Sequence, residues 1–182
     1  MYTRHTNKTA LQSQEMITEA LFRLMAEKPF HAIRITEICE AAGVGRKTFY
    51  RHFELKEDII AFRLDRLCAA YAKDYLGESL DEQLTYHFEF IRQHADEMIV
   101  LYNQGMSDML NASLSILMPK TMPVWSSNPI EQEYISAYIM AGITAIAQVW
   151  VTGGFRESLD DIRQIVKQAQ GGLIPKQPET MP

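Results

Sequence analysis

The segment RITEICEAAGVGRKTFYRHFELK, Arg34 to Lys56, organises the reading of everything else in this 182-residue chain. Thr36 is the expected N-cap of a short helix, and Ile38, Ala41 and Ala42 give that helix a small apolar face. Gly43 stands where the helix must stop and the chain must turn, a place that favours a residue tolerating positive φ. Val44 leads into a second helix, expected over Gly45–Phe53, in which Phe49 and Phe53 are spaced i and i+4 and face the core. Arg46, Lys47, Thr48, Tyr50, Arg51 and His52 are left for the remaining surface. Three permanent cations, two hydroxyls and an imidazole within seven residues is a composition that a phosphate-lined groove selects. The pattern is that of a helix–turn–helix.

Bulk properties agree once their distribution is considered. The net charge of −5 argues against general attraction to nucleic acid. Yet residues 1–53 carry eight Lys/Arg against five Asp/Glu, while residues 54–182 carry ten against eighteen. A basic head on an acidic body confines phosphate attraction to one end. Hydrophobic content of 47% and charged content of 23% are ordinary for a globular protein. Cys39 and Cys68 show no motif spacing and are expected as free thiols in a reducing interior. The N-terminus, MYTRHTNKTA, has no apolar core of a signal peptide, so a cytoplasmic location is expected.

Working outward, every segment reads as helix and none alternates like a strand. A first helix is expected over Lys8–Lys28, with Ile17, Leu21 and Leu24 in its apolar stripe. A long helix over Lys56–Leu76 joins head to body. Ser79 and Glu82 have capping-box spacing for a helix reaching His94. Shorter helices follow over Asp96–Gln104 and Ser107–Leu117, then a proline-marked loop around Trp125. A helix from Pro129 to Thr152 ends at Gly153-Gly154, and a last helix opens at Ser158 with Asp160 and Asp161 in its first turn. The fold class is all-α. Expected boundaries are a head over residues 1–55, a helical body over 56–174 and a disordered polar tail over 175–182.

Tyr134 to Phe155 contains no charged residue over a length that could span a bilayer. Ser136, Thr144, Gln148 and the glycine pair dilute its hydrophobicity, and no Lys/Arg cluster flanks it. A helix buried in a helical bundle is therefore expected, not a membrane span. Ala137, Ala141 and Ala145 recur every four residues beside Gly142, a flat stripe that lets another helix approach closely.

The run Thr36-Glu37-Ile38-Cys39-Glu40-Ala41-Ala42-Gly43-Val44, followed by Thr48-Phe49-Tyr50-Arg51-His52-Phe53 and Lys56-Glu57, resembles the DNA-binding domain of the TetR/AcrR family of bacterial transcriptional regulators. The remaining two-thirds resemble that family in architecture only, with Trp150, Gly153-Gly154 and Ser158 looking like the junction between its two dimerising helices. The resemblance implies an N-terminal three-helix DNA-binding domain and a C-terminal helical ligand-binding and dimerisation domain. It makes Arg46, Lys47 and Thr48 base readers at the start of the recognition helix that Gly45 opens. Tyr50, Arg51, His52, Lys56 and Thr36 become further base or phosphate contacts. Gly45 stands where Ser or Thr often caps this helix, and Leu55 where a small polar residue often caps the next.

It further implies a homodimer, most often a repressor, on a pseudopalindromic double-stranded operator. The dimer surface would be drawn from Ala137, Ala141, Ala145, Gln148, Ile162, Ile165 and Val166. Methionines and aromatics of the body suggest a plastic apolar cavity for a small hydrophobic effector, formed by Tyr71, Tyr75, Phe88, Met98, Tyr102, Met106, Trp125 and Tyr138. His87 and His94 are too far apart along a helix to share a metal, and no metal or cofactor is expected. No glycine-rich phosphate loop or nucleophile elbow points to an enzyme. Control by a protein partner, or a helical membrane-associated protein built on Tyr134–Phe155, are the rival outcomes.

Overall fold

A computed structural model describes residues 2–3, 7–74, 79–117 and 126–171. Nine α-helices account for most of them: α1 (Lys8–Glu27), α2 (Ile35–Ala42), α3 (Arg46–His52), α4 (Glu57–Asp74), α5 (Leu80–Gln93), α6 (Ala95–Asn103), α7 (Ser107–Leu117), α8 (Pro129–Thr152) and α9 (Leu159–Gln170). A single 3-10 turn, Phe30–Ala32, lies between α1 and α2. The only extended pairing among the described residues is an isolated bridge between Tyr2 and Phe53.

The first three helices fold around Ile17, Leu21, Ile38, Phe49 and Phe53, all fully buried. α4 belongs to both halves of the molecule. Its N-terminal half closes the head, with Phe62 edge-on to Phe53 at 5.7 Å between ring centroids, while Leu64, Leu67 and Tyr71 are buried in the body. Polar links centred on Arg63 and Gln104 help tie head to body. The Arg63 guanidinium on α4 donates to Glu97 on α6 at 2.6 Å and reaches Glu15 on α1 at 3.4 Å. Gln104, at the end of α6, accepts from the Phe30 amide at 2.8 Å and donates to the Met25 and Lys28 carbonyls at 2.6 and 3.2 Å. Those carbonyls end α1, where backbone acceptors have no partner within the helix.

The cap expected at Ser79 forms, and Ser158, where the last helix is expected to open, caps it in the same way. Glu82 and Asp161 each accept from the backbone N–H of the serine three residues earlier, at 3.0 and 3.2 Å. Asp81 on α5 then takes Arg163 at 2.7 Å and Lys167, both on α9, fastening those helices together. Trp150 is buried, donates its indole N–H to the Glu157 carbonyl at 3.0 Å, and fixes the turn after α8. Gly154 makes that turn at φ +78°.

α8 departs from the expectation of a helix buried on most sides. Ile139, Ile143, Ala147 and Trp150 face inward, but Ile130, Tyr134, Tyr138 and Val149 form an apolar exposed face, Val149 being 72% exposed. By length and composition it is the one helix among the described residues that could cross a membrane. A helix apolar all round carries no contrast in its own sequence to say which side the protomer covers.

Candidate nucleic-acid interface

Local chemistry fixes the turn and the direction of the second short helix. Gly43 ends α2 at φ +66°, which only a residue without a Cβ adopts cheaply. Its N–H donates to the Glu40 carbonyl at 3.1 Å and the next amide, of Val44, to Cys39 at 3.0 Å. Gly45 is the N-cap of α3 and offers no side chain to the amides that follow. These amides begin the positive end of α3, next to Arg46 and Lys47.

Phe49 and Phe53 turn inward, with ring centroids 6.0 Å apart. On the far side Arg46, Lys47, Tyr50 and Arg51 are exposed and Thr48 is half-buried. Tyr50 is 49% exposed, with the Arg46 guanidinium 6.0 Å from its ring centroid. Thr36 is exposed in the first turn of α2. It is not the N-cap that the sequence suggests: the cap lies two residues earlier, at Arg34, and Glu37 accepts from the Arg34 amide at 2.9 Å. The Glu37 carboxyl is held below its usual range by its side-chain hydrogen bond with Lys28 and by that amide.

Two expected phosphate contacts are corrected. His52 is 1% exposed. It lies three residues after Phe49 and so shares the inward stripe, its ring tilted against that of Phe53 with centroids 6.5 Å apart. Lys56 is a brace: its ammonium donates to the carbonyls of Phe30, His31 and Ile33 at 2.7, 3.2 and 2.9 Å and sits 4.5 Å from the Phe30 ring centroid. An ammonium has three protons, and all three are used. The poor cap at Leu55 is also made good from elsewhere, because Asp58 reaches back to accept from the Glu54 and Leu55 amides, both at 3.0 Å.

The sequence reading missed the chain's own start. Thr3 donates its amide to the His52 carbonyl at 3.0 Å and its hydroxyl to the Arg51 carbonyl at 3.3 Å. Gln14 in turn holds the Thr3 carbonyl at 2.9 Å. The last carbonyls of α3 are thereby tied to α1, leaving the outward side chains on a fixed rod. Its only sequence signal is the hydroxyl-bearing residues Tyr2, Thr3 and Thr6 before α1, too common a feature to interpret.

In the body, Tyr71, Met98 and Tyr102 line a cavity between α4, α5, α6 and α8, joined by His87 and Thr144. Its volume of about 20 Å³ accommodates about one water molecule. Phe88 and Met106 are buried beside it and are not on its wall, Phe88 meeting Trp150 edge-on at 5.7 Å. Tyr138 is no part of a pocket: it points outward from α8, 57% exposed. Tyr75 and Trp125 lie outside the described residues. Among the described residues no group of His, Cys, Asp or Glu is arranged to hold a metal. Cys39 and Cys68 are free, and burial pushes both thiols up.

The expected dimer residues divide. Ala137, Ala141, Ala145 and Ile165 are exposed and Gln148 is half-buried, so an approaching helix can reach them. Ile162 and Val166 are corrected: both are buried in the protomer's own core, while Ile165, at the edge of the same apolar stripe, is 42% exposed.

Comparison with known proteins places this geometry. The sequence pattern of the family described as bacterial regulatory proteins, tetR family, matches residues 17–61, the span from mid-α1 into α4. The HTH-type dhaKLM operon transcriptional activator DhaS of Lactococcus lactis is 25% identical over 160 residues, covering 81% of this chain and 83% of that protein. The HTH-type transcriptional regulator YerO of Bacillus subtilis is 28% identical over 109 residues, covering 52% of this chain and about a third (36%) of that protein. Among solved structures, a TetR transcriptional regulator from Streptococcus agalactiae superposes with a TM-score of 0.65 at 16% identity, over 89% of this chain and 95% of that one. The fatty acid degradation regulator FadR from Bacillus halodurans does so with 0.60 at 18% identity, over 95% and 100%. At such identities these two likenesses speak for the fold.

Proposed function

Since the chain belongs, through its N-terminal domain, to the TetR family of bacterial regulatory proteins and is a DNA-binding transcriptional regulator, we propose that it acts in the cytoplasm as a homodimeric repressor released by a small apolar effector. The observation that carries the DNA-reading part is the two-sidedness of α3. Phe49, His52 and Phe53 anchor one side, while Arg46, Lys47, Tyr50 and Arg51 are exposed on the other. Arg46 and Lys47 are the proposed base readers, with Thr48 beside them; Arg51, Tyr50 and Thr36 are the proposed phosphate contacts. Neither His52 nor Lys56 belongs in that set.

Dimerisation is supported by the uncovered face of α8 with Ile165 of α9. A second copy related by a two-fold axis would cover it and place two α3 helices in successive major grooves, about 34–36 Å apart or more. Glu131 and Glu133 in the first turns of α8 suit a protein neighbour better than lipid. Transmission would run through α6, which carries cavity residues Met98 and Tyr102 and ends at the Gln104 clamp on the head. An effector that prefers one placement of α6 would shift the population between two head spacings.

A second reading, activation instead of repression, is favoured by one observation: the Lactococcus relative is named an activator. Selection of bound duplexes from a random library by the intact protein tests the proposal. A pseudopalindromic consensus is the expected result, and a reporter driven by that site then separates repression from activation. A consensus with no internal symmetry would count against the dimer, and no enrichment against the DNA-reading surface.

A further inference from the structure

His87 is 3% exposed, faces the cavity of the body, and has no hydrogen-bond partner at either ring nitrogen among the described residues. A buried polar group left unsatisfied is destabilising, because it has given up its hydrogen bonds to water and gained none in return. Its neighbours do not relieve it. The rings of Tyr71 and Phe88 meet it edge-on at 5.9 and 5.4 Å, and the Thr144 hydroxyl is committed to the Met140 carbonyl at 2.7 Å. Tyr102 and Cys68 are the remaining polar side chains on the wall, and neither carries charge near neutral pH, since burial pushes the Tyr102 hydroxyl up to about 12 and raises the Cys68 thiol. Among the described residues no carboxylate, ammonium or guanidinium lines the space.

We propose that this cavity is a binding site for a small uncharged molecule bearing one hydroxyl or carbonyl on an apolar body, with the His87 imidazole as its polar anchor. A neutral imidazole offers one N–H donor and one bare nitrogen acceptor, which a hydroxyl can meet either way and a carbonyl meets at the donor. Burial holds His87 in that neutral form, its pKa lowered to about 4. An anion or cation would enter without any countercharge and is excluded by the cost of desolvation. Anything larger than water must displace part of the wall, and Met98, unbranched and flexible, is the side chain suited to yield.

The inference rests on the reading that a small effector acts on the body, and the two fail separately. The test uses the intact protein, titrated with phenol, cyclohexanone, toluene, benzoate and benzylamine, and reads the imidazole nitrogen resonances and the melting temperature. The His87 signal is assigned from its loss in His87→Gln. Phenol is expected to move that signal and to bind about tenfold more tightly than toluene, the gain of one buried hydrogen bond. Cyclohexanone should also move it, and benzoate and benzylamine should leave it in place. His87→Phe should bring phenol and toluene to equal affinity, and His87→Gln, which keeps a donor and an acceptor, should restore the preference for phenol. Equal affinity for phenol and toluene in the unaltered protein would overturn the site. So would preference for either charged probe, or a His87 signal that no probe moves because it holds a single water only. Phenol bound at His87 without effect on DNA affinity would sink the effector reading and leave the site standing. Release from DNA by a molecule that leaves the His87 signal unmoved would do the reverse.

Discussion

In the head, Lys56 gives its three ammonium protons to three carbonyls and Asp58 takes up two amides before α4. In the body, His87 is buried with both ring nitrogens unmatched among the described residues, and the outer face of α8 carries Tyr134, Tyr138 and Val149 in the open. The head is complete as one chain and can present α3 as a rigid rod. The body holds features that become favourable only when something else arrives. Preorganisation belongs where a fixed surface must match a groove, and incompleteness where a partner or ligand must change the outcome.

The largest effect should come from breaking the head's closure. Phe49→Ala removes a fully buried ring from under α3 and is expected to cost about 3–5 kcal/mol in denaturant unfolding. Val149→Ala, on the bare face of α8, should stay within about 0.5 kcal/mol measured on dilute monomer. Equal costs at the two sites would erase the contrast.

The body's histidine gives the next effect. His87 titrates at about 4 in the fold and at its ordinary 6.5 when unfolded, so on acidification the unfolded chain takes up the proton first. Its contribution is whole above pH 6.5 and is lost as the pH falls toward 4, by about 3 kcal/mol in all. Denaturation midpoints across that window should fall in the unaltered protein and flatten in His87→Gln. An unchanged slope in the variant would place the titration elsewhere.

On the α3 surface, Arg46→Ala or Lys47→Ala should weaken specific binding by about 1–3 kcal/mol if the residue reads a base. Lys56→Met should lower the melting temperature and leave the salt dependence of DNA binding unchanged, since that ammonium already serves carbonyls. A salt slope reduced by about one in Lys56→Met would return it to the interface. A modest effect is expected from Asp58→Ala, about 1 kcal/mol for a lost cap, read by thermal unfolding.

Much of this architecture was legible because helical spacing and turn chemistry are local. Gly43 at φ +66° and the inward Phe49 and Phe53 follow from residues within one turn of each other. His52 was misplaced because the inward stripe of α3 is three residues wide, and the two phenylalanines fill only part of it. Lys56 was misplaced because its partners, Phe30 to Ile33, lie more than twenty residues away and are backbone atoms without a side-chain signature. Ile162 and Val166 share an amphipathic helix with Ile165, and spacing alone does not say which apolar edge turns to the protomer and which to a partner. The anchoring role of His87 was out of reach, since a histidine on a helix reveals neither its burial nor the absence of a bonding neighbour.

The central claim is that α3 is presented twice, by a symmetric pair, to one DNA site. Sedimentation velocity of the intact protein on its selected duplex tests this most directly, with Ala141→Glu run alongside. Two protomers per duplex are expected, and the variant, with a charge in the bare stripe of α8, should sediment as a monomer and lose the complex. One protomer per duplex, or a variant that still binds as a pair, would contradict the account.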